Sequence, residues 1–343
     1  VDESFELNGA AVATLTTANT FDSFGNATQI VATSNDGYVK TTANTYTNDT
    51  ANWILGRLTR ATVTSRLPNL TVATRTSSFA YDAANGLLTQ EVIEPDVPAL
   101  RLATDYAYDA FGNKITATVS GAGILSRTAT TAFNAQGRFP VGATNALGHQ
   151  ETRQFDTRFG GVTSLTGPNG LVTTWAYDGF GRKINETRAD GTQSSWTYAL
   201  CACSPLEYHV TLAATGQPTR RTHFDILNRE VESQVQAFDG VSWVAKETEY
   251  DALGRVARVS RPYIPGTPQW TAFAYDILGR PTSETAPDGT VTTTAYSGLT
   301  VTVTNPLGQT RTTLKNSQGQ TARVTDALGA QTNYAYDYFG NLT

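Results

Sequence analysis

A six-residue signature recurs down the chain: an aromatic residue, Asp, a variable residue, Phe or Leu, Gly, then Arg or Asn. Its clearest copies are Tyr108-Asp109-Ala110-Phe111-Gly112-Asn113, Tyr177-Asp178-Gly179-Phe180-Gly181-Arg182, Tyr250-Asp251-Ala252-Leu253-Gly254-Arg255, Tyr275-Asp276-Ile277-Leu278-Gly279-Arg280 and Tyr336-Asp337-Tyr338-Phe339-Gly340-Asn341. Full or degraded copies begin at Phe21, Tyr81, Phe133, Phe155 and Phe224 as well. Self-similarity at a short period specifies a repeat architecture, in which each unit contacts only its neighbours. Such an array is a scaffold, a shell or a binding surface more often than a catalytic pocket.

A second turn class lies between these copies, as in Asn145-Ala146-Leu147-Gly148, Gly167-Pro168-Asn169-Gly170, Pro287-Asp288-Gly289 and Asp326-Ala327-Leu328-Gly329. Each period therefore holds two turns and two short strands. The strands alternate with period two, as in Thr300-Val301-Thr302-Val303-Thr304. Alternating runs bounded by Gly, Asn, Asp and Pro predict β-hairpins. Composition agrees: charged residues make up only 16% of the chain, against about 25% in ordinary domains. Thr largely replaces them, and Thr and Val favour the pleated surface. The expected fold is all-β, a long curved antiparallel sheet of tandem hairpins. Residues 1–74 read as a degenerate lead-in and residues 75–343 as the repeat array.

The signature has a physical reading. The Asp carboxylate can accept backbone N–H groups two or three residues on and so fix the turn. The Phe or Leu is expected to tuck under the turn as a plug. Gly112, Gly181, Gly254, Gly279 and Gly340 are expected at positive φ. Tyr108, Tyr177, Tyr250, Tyr275 and Tyr336 close incoming strands and recur at one height as packing residues. Asp109, Asp178, Asp251, Asp276 and Asp337 then serve as turn caps rather than catalytic acids.

These residues resemble the YD repeat of the Rhs family, which includes bacterial polymorphic toxins, the B and C components of insecticidal Tc toxins, and the teneurins. The likeness covers roughly residues 75–343. The segment Asn52-Trp53-Ile54-Leu55-Gly56-Arg57-Leu58-Thr59-Arg60 is similar to one that precedes YD repeats in proteins like the Tc toxin B component. The resemblance implies a β-strip that spirals into a hollow shell around a C-terminal toxic domain. The implied partners are flanking shell segments, that enclosed domain, and a secretion or injection apparatus, in a secreted or cell-surface setting. Many toxin members end the shell with a self-cleaving site near an Asp-Pro-x-Gly core. No Asp-Pro dipeptide occurs here, and Asn305-Pro306-Leu307-Gly308 fits an ordinary repeat turn. The chain therefore reads as an internal piece of a larger protein, without the protease site or the cargo.

Other chemistry is sparse. Net charge is -5 and no Lys/Arg cluster tracks phosphates, so nucleic acid is not an expected partner. No apolar run approaches the roughly 18 residues of a membrane span. There is no nucleophile elbow and no P-loop, and no cofactor is expected. His149, His209 and His223 occur in unrelated contexts, with His149 read as a surface strand residue. The stretch Tyr198-Ala199-Leu200-Cys201-Ala202-Cys203-Ser204-Pro205 falls where a turn copy is due but lacks its Asp and Gly. Three readings stay open: an irregular turn with small buried side chains, a metal site of Cys201, Cys203 and His209 short of a fourth ligand, or a redox or crosslinking role. Trp53, Trp175, Trp196, Trp243 and Trp270 read as packing within the sheet, with sugar platforms as the alternative. Functionally, a shell segment of a secreted toxin competes with a glycan-binding adhesion array. A catalytic function lacks any acid, base or nucleophile cluster outside the turns.

Overall fold

The Thr- and Val-rich runs become strands and the Gly-marked segments become turns. The computed structural model describes residues 2–7, 10–203, 206–264 and 266–343. Among them are 28 strands and no helix. In chain order these are β1 (Asp2–Leu7), β2 (Ala10–Phe21), β3 (Ala27–Ser34), β4 (Val39–Asp49), β5 (Ile54–Arg66), β6 (Val72–Tyr81), β7 (Leu88–Ile93), β8 (Leu102–Tyr108), β9 (Lys114–Gly121), β10 (Ile124–Phe133), β11 (Pro140–Thr144), β12 (Gln150–Phe155), β13 (Val162–Thr166) and β14 (Val172–Tyr177). They continue as β15 (Lys183–Thr187), β16 (Gln193–Cys203), β17 (Leu206–Ala214), β18 (Arg220–Phe224), β19 (Glu230–Gln236), β20 (Trp243–Tyr250), β21 (Val256–Ser260), β22 (Trp270–Tyr275), β23 (Pro281–Thr285), β24 (Val291–Ser297), β25 (Thr300–Thr304), β26 (Thr310–Lys315), β27 (Thr321–Thr325) and β28 (Gln331–Asn333). The expected all-β class and hairpin periodicity are what the molecule shows.

The chain groups into two compact units. One holds residues 1–150, 296–302 and 311–343, and the other residues 151–295 and 303–310. Within each unit strands pair antiparallel with their sequence neighbours, as β8 with β9 and β22 with β23. In the first unit the Asn316–Gln320 turn also meets the earlier turn after β3. There the Ser317 hydroxyl donates to Asp36 Oδ1 at 2.7 Å.

A register shift marks the aromatic residue that ends each incoming strand. It falls between Ala107 and Tyr108, Ala176 and Tyr177, Glu249 and Tyr250, and Ala274 and Tyr275. The turn that follows explains it. Gly181 N–H donates to the Asp178 carbonyl at 3.1 Å, and Asp178 N–H donates to the Arg182 carbonyl at 2.9 Å. This is a tight turn completed by a left-handed Gly and a one-residue bulge, a pairing that suits the right-handed twist of the strands.

Apolar burial is thin. Among the described residues only Val92, Ala103 and Ala245 are buried hydrophobics, and no large side chain is fully buried. Cohesion comes from the ladders and from cross-strand pairs. Thr118 and Thr128 share a hydroxyl hydrogen bond at 2.9 Å, and Thr64 and Thr74 one at 3.2 Å. A Thr-rich strand can therefore satisfy its own polar surface, which accounts for the low charge.

Candidate functional site

Each signature Asp sits at the first position of its turn and gathers the turn around one carboxylate. Asp251 Oδ1 accepts the N–H groups of Leu253 and Arg255, each at 2.9 Å. Asp109, Asp178, Asp276 and Asp337 accept the same two amides of their own turns. The amides reached are two and four residues on, rather than two and three. The five Gly residues hold φ between 78° and 85°.

The residue after Gly does more than open the return strand. Its side chain folds back onto the second carboxylate oxygen. Arg182, Arg255 and Arg280 do so through Nε at 2.7, 2.7 and 2.6 Å. Asn113 and Asn341 do so through Nδ2 at 3.0 Å. These donors hold the carboxylates below the usual carboxylate range. For Asp251 the Arg255 amide is the largest cause, for Asp337 the Asn341 side chain. For Asp109, Asp178 and Asp276 the largest influence is desolvation, which pushes upward, and the hydrogen bonds together outweigh it.

The same Arg reaches the next repeat. The Arg182 guanidinium lies 4.3 Å from the Tyr198 ring centroid, Arg229 4.4 Å from Tyr250, and Arg255 4.5 Å from Tyr275. These are cation–π distances. Each Tyr hydroxyl then donates to the backbone carbonyl one residue past that Arg. Tyr198 bonds Lys183 O at 3.0 Å, Tyr250 bonds Glu230 O at 2.8 Å, and Tyr275 bonds Val256 O at 2.8 Å. Tyr108, Tyr177 and Tyr336 make the equivalent bond to Leu88, Val162 and Thr321. Burial raises the hydroxyls of Tyr177 and Tyr250 above their ordinary value, which keeps them donors. Asp, Arg and Tyr thus form a relay that ties one hairpin to the next. The recurrence of Tyr, whose hydroxyl a plain packing residue would not need, was the available signal.

The expected plug is corrected. Phe111, Phe180, Leu253 and Leu278 are 64%, 83%, 77% and 68% exposed. A five-residue turn has no underside, so the side chain lies outward. Some instead cover a neighbouring turn: the Phe111 ring lies where a Cβ on Gly137 would sit, 2.4 Å from its atoms, and Phe159 similarly covers Gly181 at 2.9 Å.

The expected irregular turn over Tyr198–Pro205 falls later than the signature would place it: without Asp and Gly, β16 runs on to pair Ala199 with His209 and Leu200 with Tyr208, the register shifts between Leu200 and Cys203, and Cys203 pairs with Leu206. Cys201 is disulfide-bonded and so offers no thiolate to a metal. The Cys203 side chain lies outside the described residues. His209 pairs with His223 on β18 instead, and no group of three or more His, Cys, Asp or Glu among the described residues could hold a metal. His149 is exposed and contacts Asn145 Nδ2 at 3.3 Å.

Four of the five Trp rings are capped by cations. Lys183 lies over Trp175 and Trp196 at 5.7 and 5.1 Å, Arg221 over Trp243 at 4.7 Å, and Arg258 over Trp270 at 4.3 Å. A sugar would have to displace them. Trp53 alone stands out, 77% exposed.

The model of the family described as RHS Repeat matches residues 157–193, 250–291 and 316–343. Those stretches contain four of the five clearest signatures. No curated protein sequence matches the chain. A crystal structure of TcdB2-TccC3 matches with a TM-score of 0.75 and 12% identity, over 97% of this chain and 27% of that one. TcdB2-TccC3-Cdc42 matches at 0.73 and 11%, over 97% and 29%. TcdB2-TccC3 without its hypervariable C-terminal region matches at 0.72 and 10%, over 97% and 29%. This chain spans less than a third of those chains, and what it shares with them is the fold.

Proposed function

We propose that this chain is an RHS-repeat protein that serves as a non-catalytic wall segment of a toxin shell enclosing a C-terminal effector. The Asp–Arg–Tyr relay carries the reading. Its functional groups are committed to turn amides, guanidinium contacts and backbone carbonyls. It couples each hairpin to the next, which is what a wall requires and what a reaction centre does not. The fold match to TcdB2-TccC3 persists without that protein's hypervariable C-terminal region. That persistence supports a wall that is separable from its contents. On this reading the partners are flanking wall segments, the enclosed effector of the same polypeptide and a delivery apparatus, and the setting is extracellular. The cation-capped Trp rings weigh against the glycan-binding alternative.

Cryo-electron microscopy of the natural full-length polypeptide, paired with limited proteolysis, tests this. The expected result is a closed cavity walled in part by these repeats, with the C-terminal segment protected until the shell is opened. An open strip with a freely digested C-terminal segment overturns the proposal.

A further inference from the structure

One row of side chains differs in kind from the relay. It crosses β17, β18, β19 and β20 on a single face, pairing His209 with His223, His223 with Glu232, and Glu232 with Glu247. The two imidazole centroids are 5.1 Å apart. His223 is only 6% exposed. Among the described residues, four buried side-chain polar atoms have no hydrogen-bond partner: His209 Nδ1, His223 Nδ1 and Nε2, and Gln234 Oε1. All four belong to this row and its immediate neighbour. Among the described residues no other buried side-chain polar atom lacks a partner, and such groups are ordinarily satisfied.

We propose that the His209–His223 pair is a proton-operated seam, which holds β17 against β18 while both rings are neutral and loosens when they take up protons. Two neutral rings can lie face to face across a ladder. Two imidazolium ions at 5.1 Å, one of them enclosed, repel each other and lack solvation. Charged groups approach the pair from several strands. β16 presents the apolar Ala199 opposite His209. On β17, Glu207 flanks His209 two residues away and is exposed. On β18, Arg221 lies two residues before His223, with its guanidinium over Trp243, and disfavours a further cation. Asp225, two residues beyond His223, is already tied to Arg229 at 2.6 Å. On β19, Glu232 Oε2 lies 3.8 Å from His223 Nε2 and favours protonation, and the Gln234 side chain adds to it. Its other oxygen accepts Gln234 Nε2 at 2.7 Å. On β20, Glu247 faces Glu232 and accepts the Tyr263 hydroxyl.

The balance falls against the charged form. Burial is the largest influence on both rings, and both sit below the ordinary histidine value. For a histidine held low by the fold, the unfolded state binds more protons. Stability therefore falls as pH drops below about 6.5, the unfolded value. The seam does not depend on the enclosed-effector reading, since it rests on this chain's own residues.

Hydrogen exchange followed by mass spectrometry from pH 7.5 to pH 5, corrected for intrinsic rates, tests the seam. Protection of β17 and β18 should fall about tenfold for each pH unit of histidine displacement. Hairpin β22–β23, which has no histidine, should keep its protection over that range. The double variant His209→Gln, His223→Gln should abolish the difference between the two hairpins. Equal behaviour of the two hairpins in the wild-type protein overturns the proposal. So does a double variant that folds and still loses protection at β17–β18. Should the variant not fold, imidazole chemical shifts of the wild-type protein decide: both rings titrating at or above about pH 6.5 overturns it, and titration below that value supports it.

Discussion

Hairpins β20–β21 and β16–β17 begin alike and end differently. Both incoming strands carry a Tyr whose hydroxyl bonds the preceding hairpin, Tyr250 to Glu230 O and Tyr198 to Lys183 O. Both rings lie under an Arg, Arg229 and Arg182 respectively. In the first hairpin Asp251 and Gly254 follow, and pairing stops at Tyr250 opposite Val256. In the second, Ala199 and Ala202 stand in those places, and pairing continues to Cys203 opposite Leu206. The six-residue signature is therefore two devices in tandem. Tyr belongs to the seam with the previous repeat. Asp and Gly belong to the turn and set where the strand ends.

That separation can be broken by grafting. Ala199→Asp, Cys201→Leu, Ala202→Gly and Cys203→Arg together would write the full signature after Tyr198. The expected result is a turn at 199–203 and loss of the Ala199–His209 pairing, read by nuclear Overhauser contacts. The control is Cys201→Leu with Cys203→Arg alone, which should keep the long hairpin. If the four-residue graft also keeps it, Asp and Gly do not set strand length.

A smaller effect comes from the glycines, and two of them divide it into parts. Gly254 has φ 80° and open space around its Cβ direction, with Arg229 the nearest side chain at 3.6 Å. Gly254→Val should cost about 1–3 kcal/mol of local backbone strain. Gly181 has φ 78° and the Phe159 ring within 2.9 Å. Gly181→Val should lower the melting temperature further, because the ring must also move. A Gly254→Val protein that melts like wild type would refute the left-handed requirement, and equal losses would remove the ring from the argument.

Strand identity was readable because a period of two and Gly-marked turns are local properties. The turn caps were readable for the same reason, since Asp251 bonds amides within its own five residues. The relay was not. Arg255 and Tyr275 are twenty residues apart, and only the register of β21 against β22 brings them together. Phe180 and Leu253 are exposed rather than tucked under their turns, because a turn of this size encloses no apolar space. His209 and His223 looked unrelated because their pairing depends on the long β17 strand, which in turn depends on the missing Asp and Gly.

Acid should reveal the two kinds of hairpin in sequence. The turn carboxylates of Asp109, Asp178, Asp251, Asp276 and Asp337 are held low, and that of Asp156 is held down to about 2, chiefly by the Arg158 side chain. A carboxylate lowered by folding contributes stability above its unfolded value and loses it as pH falls through its folded value. The turns should thus persist to about pH 4 and loosen between about pH 4 and pH 2. The histidine seam, whose groups take up protons at higher pH, should respond first, below about pH 6.5. Circular dichroism and hydrogen exchange along one titration would show two steps. A single step shared by all hairpins would mean that the turn carboxylates and the histidines do not act separately.

The finest test removes one oxygen atom. Tyr275→Phe keeps the ring under Arg255 but deletes the 2.8 Å bond to Val256 O. A single half-buried hydrogen bond of this kind contributes about 1 kcal/mol, and the loss should appear as faster exchange confined to β21 and β22. Asp251→Asn attacks the same relay from its other end, by weakening the carboxylate that aims Arg255. If the two devices are separate, the double variant should lose the sum of the single losses, because Tyr275 bonds a backbone carbonyl that the turn already fixes. If the Arg255 guanidinium couples the turn to the ring of Tyr275, the double variant should depart from the sum.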